Sequence, residues 1–201
     1  MNKLTPSEQL QAEVDFVKEL KSYPIAIAQS RANEQHYEVP DKFYQLYLGP
    51  CMKYSSCYYS SSTTTLEEAE IAMLELYCER AGLEDGMNIV DLGCGWGSVT
   101  LFVAQKYPNA KITSISNSNS QREYINATAA SRGLTNIQVF TGDIATFDLS
   151  KDKYESYDRV ISIEMFEHMK NYELLLKKIS QWIKPSGKVS RSRARIQSLH
   201  Y

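Results

Sequence analysis

Residues 89–97, Ile-Val-Asp-Leu-Gly-Cys-Gly-Trp-Gly, constrain this chain more than any other stretch, because a short apolar strand runs directly into glycines at alternate positions, Gly93, Gly95 and Gly97. Glycine reaches backbone angles closed to other residues and lets a ligand come against the main chain where a side chain would collide. The apolar run at 99–104 then opens a helix whose first amides can face a polar or anionic group. Strand, glycine turn and helix in that order predict a nucleotide-type pocket at the carboxyl end of a strand.

The ligand is narrowed by what is missing. A dinucleotide fingerprint would place its third glycine at position 98, which is Ser98, and would want an acid about 20 residues further on for the ribose. The stretch from 111 to 118 reads Lys-Ile-Thr-Ser-Ile-Ser-Asn-Ser and carries no carboxylate. NAD is therefore disfavoured, and a ligand without a pyrophosphate is preferred.

Length and charge set the remaining bounds. A chain of 201 residues fits one domain with an extension. Its 22 Lys and Arg against 24 Asp and Glu leave no positive field that would point to nucleic acid or an anionic membrane. No apolar run approaches the roughly 20 residues of a spanning helix, and the polar start lacks the apolar core of a secretory signal, so a cytoplasmic protein without stable membrane insertion is expected. Cys51, Cys57, Cys78 and Cys94 show no CxxC spacing. Neither a metal site nor a disulfide framework is indicated.

Residues 6–20 place Leu10, Val14, Val17 and Leu20 at helical spacing behind a cap at Ser7, an amphipathic helix expected to pack against the body of the protein. The Tyr-, Ser- and Thr-rich segment 33–65 is too aromatic for a disordered linker and reads as a packed, partly irregular lid. A helix over 66–81 follows, with a Thr65–Glu68 capping box and Gly82 at its end. Residues 1–82 thus form a helical extension and lid, 83–189 the core, and 190–201 a basic tail. In the core, strands at 88–91, 111–116, 136–140 and 157–163 alternate with helices at 97–106, 118–132 and 170–184, the last stopped at Pro185-Ser186-Gly187. Such alternation predicts an α/β fold, a parallel sheet with helices on both faces and its ligand at the strands' carboxyl ends. A further apolar strand is then due, yet Lys188, Arg191, Arg193 and Arg195 follow, charges that a buried parallel strand excludes. The last sheet strands are expected to be missing and the terminus aberrant.

The glycine loop from Asp91 to Gly97 resembles the S-adenosylmethionine loop of class I methyltransferases, whose core is a Rossmann-like parallel sheet. The resemblance extends to His36-Tyr37-Glu38-Val39-Pro40, Tyr54-Ser55-Ser56-Cys57-Tyr58-Tyr59, Leu66-Glu67-Glu68-Ala69, Asn117-Ser118-x-x-Gln121 and the run from Ser162 to Tyr172. In that order these motifs are similar to the cyclopropane-fatty-acid synthase superfamily, and within it to the coclaurine N-methyltransferase branch of small-amine methyltransferases. The resemblance implies S-adenosylmethionine as cofactor, with Gly93, Gly95 and Gly97 along its methionine part and Asp91 in the same loop. It implies Asn117 and Gln121 at the ribose, Asp143 with Ile144 at the adenine, and Tyr54 and Ser55 closing over the sulfonium. The residues alone leave other roles open: a helix cap or Asx-turn for Asp143, a cap for Asn117, aromatic packing for Tyr54.

Glu164-Met165-Phe166-Glu167-His168 carries the candidate chemistry. If a helix begins there, spacings of three and four put Glu164, Glu167 and His168 on one face at the mouth of the fourth strand. A carboxylate and a histidine can hold a cationic amine and take its proton, with His168 and Glu164 as base and orienter and Glu167 as second carboxylate. The same residues also read as an acid-rich first turn of a surface helix. Within the superfamily the lipid-modifying synthases usually lack an acid at the position of Glu164 and keep a histidine on the following strand. An amine acceptor is therefore expected here, with an unsaturated phospholipid as the alternative substrate and an inactive cofactor-binding fragment as the alternative of another class.

Overall fold

The structure is a computed structural model and describes residues 5–27, 41–62 and 64–192. Five strands, β1 (Asn88–Leu92), β2 (Lys111–Ser116), β3 (Ile137–Thr141), β4 (Tyr157–Ile163) and β5 (Ile183–Ser192), form one sheet in the order β3-β2-β1-β4-β5. Every neighbouring pair is parallel. The first strand lies at the centre, so the chain reverses its direction of build there and opens a crevice at the carboxyl ends.

The helices are α1 (Pro6–Leu20), α2 (Asp41–Tyr47), α3 (Leu66–Ala81), α4 (Ser98–Lys106), α5 (Asn119–Ser131) and α6 (Tyr172–Trp182). Alternation along β1 divides the core between the two faces of the sheet. Ile89 packs with Leu74 and Cys78 of α3 and Val103 of α4, whereas Val90 and Leu92 pack with Leu175, Ile179 and Trp182 of α6. All of these side chains are buried, as expected where helices cover both faces of a parallel sheet. The Thr65–Glu68 capping box starts α3, and Gly82, at φ 58°, ends it in the left-handed conformation.

Three expectations are corrected. The end of the chain's described part does enter the sheet: Lys188–Ser192 pair with Arg159–Ile163 as strand β5. The charge objection fails because β5 is an edge strand among the described residues and Lys188 and Arg191 are exposed. Helix α6 stops at Trp182, and Pro185-Ser186-Gly187 fall where the β4–β5 register shifts, a place that tolerates a residue without an amide proton. Residues 193–201 of the basic tail lie outside the described residues, as does the His36–Pro40 motif.

The third correction concerns α1. Thr5, not Ser7, caps it, in a capping box with Glu8. None of its residues is buried, and Leu10, Val14 and Val17 are exposed, so the helix does not pack on the body as expected. The body is gripped by the segment that follows. Ile25 and Ala26 join the core beside α6, and the Ile25 carbonyl accepts from Lys170 N at 2.8 Å. Buried Asn171 ties the two together: its amide group donates to the carbonyls of Lys21 (3.0 Å) and Tyr23 (2.8 Å) while its Oδ1 accepts from Leu174 N and caps α6. No helix among the described residues is long and apolar enough to cross a membrane.

Asn171→Ala removes a cap and leaves two carbonyls without their donor. We expect a loss of about 2–3 kcal/mol in urea unfolding, with proteolysis before residue 27 accelerated.

Candidate active site

A cavity of about 290 Å³ opens at the carboxyl ends of β1, β2, β3 and β4. Its lining brings together Gly93 and Gly95 from the turn after β1, Ser116 at the end of β2 with Asn117 and Gln121 beyond it, Gly142 and Ile144 after β3, and Glu164, Met165, His168 and Met169 after β4. Ile27 from the N-terminal segment, Leu92 and Ile115 complete it. The volume stands near the lower end of the roughly 300–1,000 Å³ range of small-molecule sites.

The glycine turn is shaped by close approach. Gly93, Gly95 and Gly97 have φ of 81°, 52° and 82°, where side chains are strained. A Cβ at Gly93 would stand 2.6 Å from Met165 Cγ, and one at Gly97 2.6 Å from Ile125 Cγ1 of α5. At Gly95 a Cβ would meet no described atom within 4 Å, which agrees with its opening on the cavity. Between them Trp96 is buried against Tyr44 of α2 (4.9 Å between ring centroids) and Tyr124 of α5 (5.5 Å), pinning the loop. Asp91 lies beneath the turn, not in the lining. Its carboxylate accepts from Thr100 Oγ1 of α4 at 2.6 Å, and burial pushes its pKa up to about 6 against that hydrogen bond.

The end of β2 presents two carboxamides. Gln121 is buried and its Oε1 accepts from Ser116 Oγ at 2.6 Å, which orients the group. Ser118, rather than Asn117, caps α5, leaving Asn117 to the lining. After β3, Asp143 takes the Asx-turn role: its Oδ1 accepts from Ala145 N at 2.8 Å, and the neighbouring Ile144 lines the cavity instead.

The turn after β4 differs from the sequence expectation. No α-helix begins at Glu164; that residue stands at φ 51°, and a short 3-10 turn, Phe166–His168, follows. The spacing argument for one shared face fails with the helix. Glu164 and His168 line the cavity, whereas Glu167 is exposed and does not. Glu164 is fixed from two sides: its amide donates to the Ser192 carbonyl of β5 at 2.9 Å, and its Oε1 accepts from the Ser56 amide (3.1 Å) and Ser56 Oγ (3.0 Å). Ser56 belongs to the lid segment, and nothing in a Tyr- and Ser-rich stretch marks it out as the carboxylate's partner. Tyr54 and Ser55 are neighbours on that segment but do not line the cavity. Tyr54 is exposed and sets its ring edge-on to Tyr44 at 5.6 Å.

Sheet order, glycine turn and cavity define an α/β protein with the class I methyltransferase fold. The chain belongs to the mycolic acid cyclopropane synthetase family, whose model matches residues 26–197. It is 46% identical over 185 residues to (S)-coclaurine N-methyltransferase of Thalictrum flavum subsp. glaucum, covering 92% of this chain and 50% of that protein. To cyclopropane mycolic acid synthase 1 of Mycobacterium tuberculosis it is 34% identical over 139 residues, 68% of this chain and 46% of that one. The crystal structure of a coclaurine N-methyltransferase bound to N-methylheliamine and SAH superimposes with a TM-score of 0.86 at 46% identity, over 94% of this chain and 53% of that chain. The chain thus spans about half the length of the curated relatives it matches.

Two expected outcomes follow from the turn. Gly93→Ala combines a left-handed backbone with a clash on Met165 and should cost about 2–4 kcal/mol of stability by chemical denaturation. Asp91, with a folded pKa of about 6 against an ordinary 3.8, binds its proton more tightly when folded. It therefore subtracts stability as pH rises from about 4 to 6, by about 3 kcal/mol in all. The melting-temperature advantage of Asp91→Asn over the parent should grow across that window and level off above it.

Proposed function

We propose that the chain binds S-adenosylmethionine and serves the N-methylation of a small-molecule amine. The observation that carries this reading is the meeting, in one cavity, of the Gly93–Gly95 turn and the Asn117 and Gln121 carboxamides with the Glu164 carboxylate and the His168 imidazole. The donor set suits a nucleoside: carboxamides for sugar hydroxyls, and Ile115, Ile144 and Met169 for an apolar base. When bound, the cofactor supplies an electrophilic methyl group. Gly93 and Gly95 would lie along its amino-acid part, with Gly97 holding the turn and Asp91 supporting it from below. We assign Asp143 to shaping the loop that presents Ile144, and Tyr54 and Ser55 to covering the reacting end from the lid.

An amine attacks only through a free lone pair, so a protonated amine must first give up its proton. Glu164, half-buried and held by Ser56, is suited to hold and orient the cationic amine. His168 is exposed, which suits it to accept the proton and pass it to water. Glu167, outside the lining, contributes negative charge at the mouth, where it favours approach of a cation. The relatives named N-methyltransferases support the amine over the lipid alkene of the cyclopropane synthases, and Glu164 supports it independently.

Incubating the 201-residue chain with methyl-labelled cofactor and either secondary amines or unsaturated phospholipid vesicles tests the reading. Label is expected in the amine. Transfer to lipid would reverse the substrate assignment, and calorimetric binding of S-adenosylhomocysteine without any transfer would leave a cofactor-binding fragment. Glu164→Gln should lower kcat about a hundredfold while S-adenosylhomocysteine affinity stays within about threefold.

A further inference from the structure

Lys53 is 3% exposed and lies outside the cavity lining, yet its ammonium is fully engaged. Nζ donates to Ser55 Oγ, to the Ser56 carbonyl at 2.7 Å and to the Tyr77 hydroxyl of α3 at 3.3 Å, and it sits 4.9 Å from the centre of the Tyr77 ring. An ammonium has three protons to donate, and these three acceptors use them all. Burial lowers the affinity of Lys53 for its proton, and Cys57, followed by the Glu164 and Glu70 carboxylates, opposes that effect. A lysine so occupied has no proton or lone pair to offer a substrate. Its three bonds instead fix one segment of chain.

That segment is the strap of residues 51–57, which has no regular hydrogen-bonded structure of its own. Helix α3 holds it at two levels. Buried Glu70 accepts from the Cys51 amide at 3.0 Å and the Lys53 amide at 3.2 Å, and Tyr77 takes the Lys53 side chain. At the far end of the strap, Ser56 gives its amide and hydroxyl to Glu164. The carbonyl that Lys53 grips and the amide that grips Glu164 belong to the same residue but to successive peptide planes that meet at the Ser56 Cα, so holding the carbonyl limits, through two backbone torsions, where the amide can point.

We propose that Lys53 is a positioning residue that sets the Glu164 carboxylate through Ser56, an inference that rests on the role given to Glu164 above. Lys53→Met keeps the length of the side chain and removes its donors. The test measures amide hydrogen exchange of peptide 53–59 and methyl-transfer kinetics for Lys53→Met, Glu164→Gln and the double variant. The Ser56 amide is expected to exchange at least tenfold faster in each single variant and no faster again in the double. The kcat of Lys53→Met should fall about tenfold with S-adenosylhomocysteine affinity within threefold, and the double should be no slower than Glu164→Gln alone. Unchanged exchange in Lys53→Met, or effects on exchange or kcat that multiply in the double, would overturn the inference. Should Lys53→Met not fold, Tyr77→Phe removes one acceptor and is expected to speed the same amide; unaltered protection there counts against the coupling. Full activity of Glu164→Gln would remove the catalytic role of that carboxylate and overturn the inference with it. A chain that exchanges as expected but transfers no methyl group would fail the functional reading alone.

Discussion

The main chain at Gly93 runs so close to Met165 that any side chain there would overlap its neighbour well inside van der Waals contact, with its Cβ 2.6 Å from Met165 Cγ. Gly93 follows the central strand β1, and Met165 follows the end of β4, the strand paired with it through Ile89–Asp91. The contact therefore sets the separation between the glycine turn that opens on the cavity and the turn that carries Glu164 and His168. A larger residue at 93 would push Met165 away and widen the cavity between the two halves of the site. Dense packing transmits such a displacement instead of absorbing it.

Glu164 is the second constraint. A non-glycine residue in the left-handed region carries a cost of about 1–2 kcal/mol, which the surroundings must offset. Three groups do so: the Ser192 carbonyl accepts from its amide, and the Ser56 amide and hydroxyl donate to its carboxylate. Strand β5 thereby acquires a role beyond closing the sheet, since it supplies the acceptor that holds the turn. Its charged residues are compatible with that role because only the backbone facing β4 is required, and Lys188 and Arg191 keep their charges in water.

What the sequence made legible is what local chemistry decides. The strand–glycine–helix order around Asp91 and Gly97, the Thr65–Glu68 box, the Gly82 stop and the alternation that yields a parallel sheet all depend on residues a few positions apart. What stayed hidden depends on contacts between distant segments. Whether Lys188–Ser192 could join the sheet depended on whether it forms an edge, which its composition does not say. The left-handed turn at Glu164 is held by Ser192 and by Ser56, 108 positions away, so the helical spacing drawn through Glu164, Glu167 and His168 had no means of anticipating it. Asp143 makes the local Asx-turn hydrogen bond that its sequence offered as one reading, and Ile144 beside it reaches the lining.

If the chain N-methylates an amine, as proposed, the placement of its charges would serve that reaction. Asp91, buried two residues before Gly93 and ionised above a pKa of about 6, puts a negative charge close to the turn, and the Glu164 carboxylate belongs to the cavity lining. Both favour cations in the space between. A sulfonium cofactor and a protonated amine are each cationic, and two cations held together in a part-buried cavity repel. Losing the amine's proton would relieve that repulsion and free the lone pair in one event, whereas the carboxylates that gather the cations oppose the loss, so it is the repulsion between the reactants that favours deprotonation. On the proposed reading, exposed His168 would carry that proton to water, and buried Lys53, gripping the Ser56 carbonyl, would place a positive charge near Glu164.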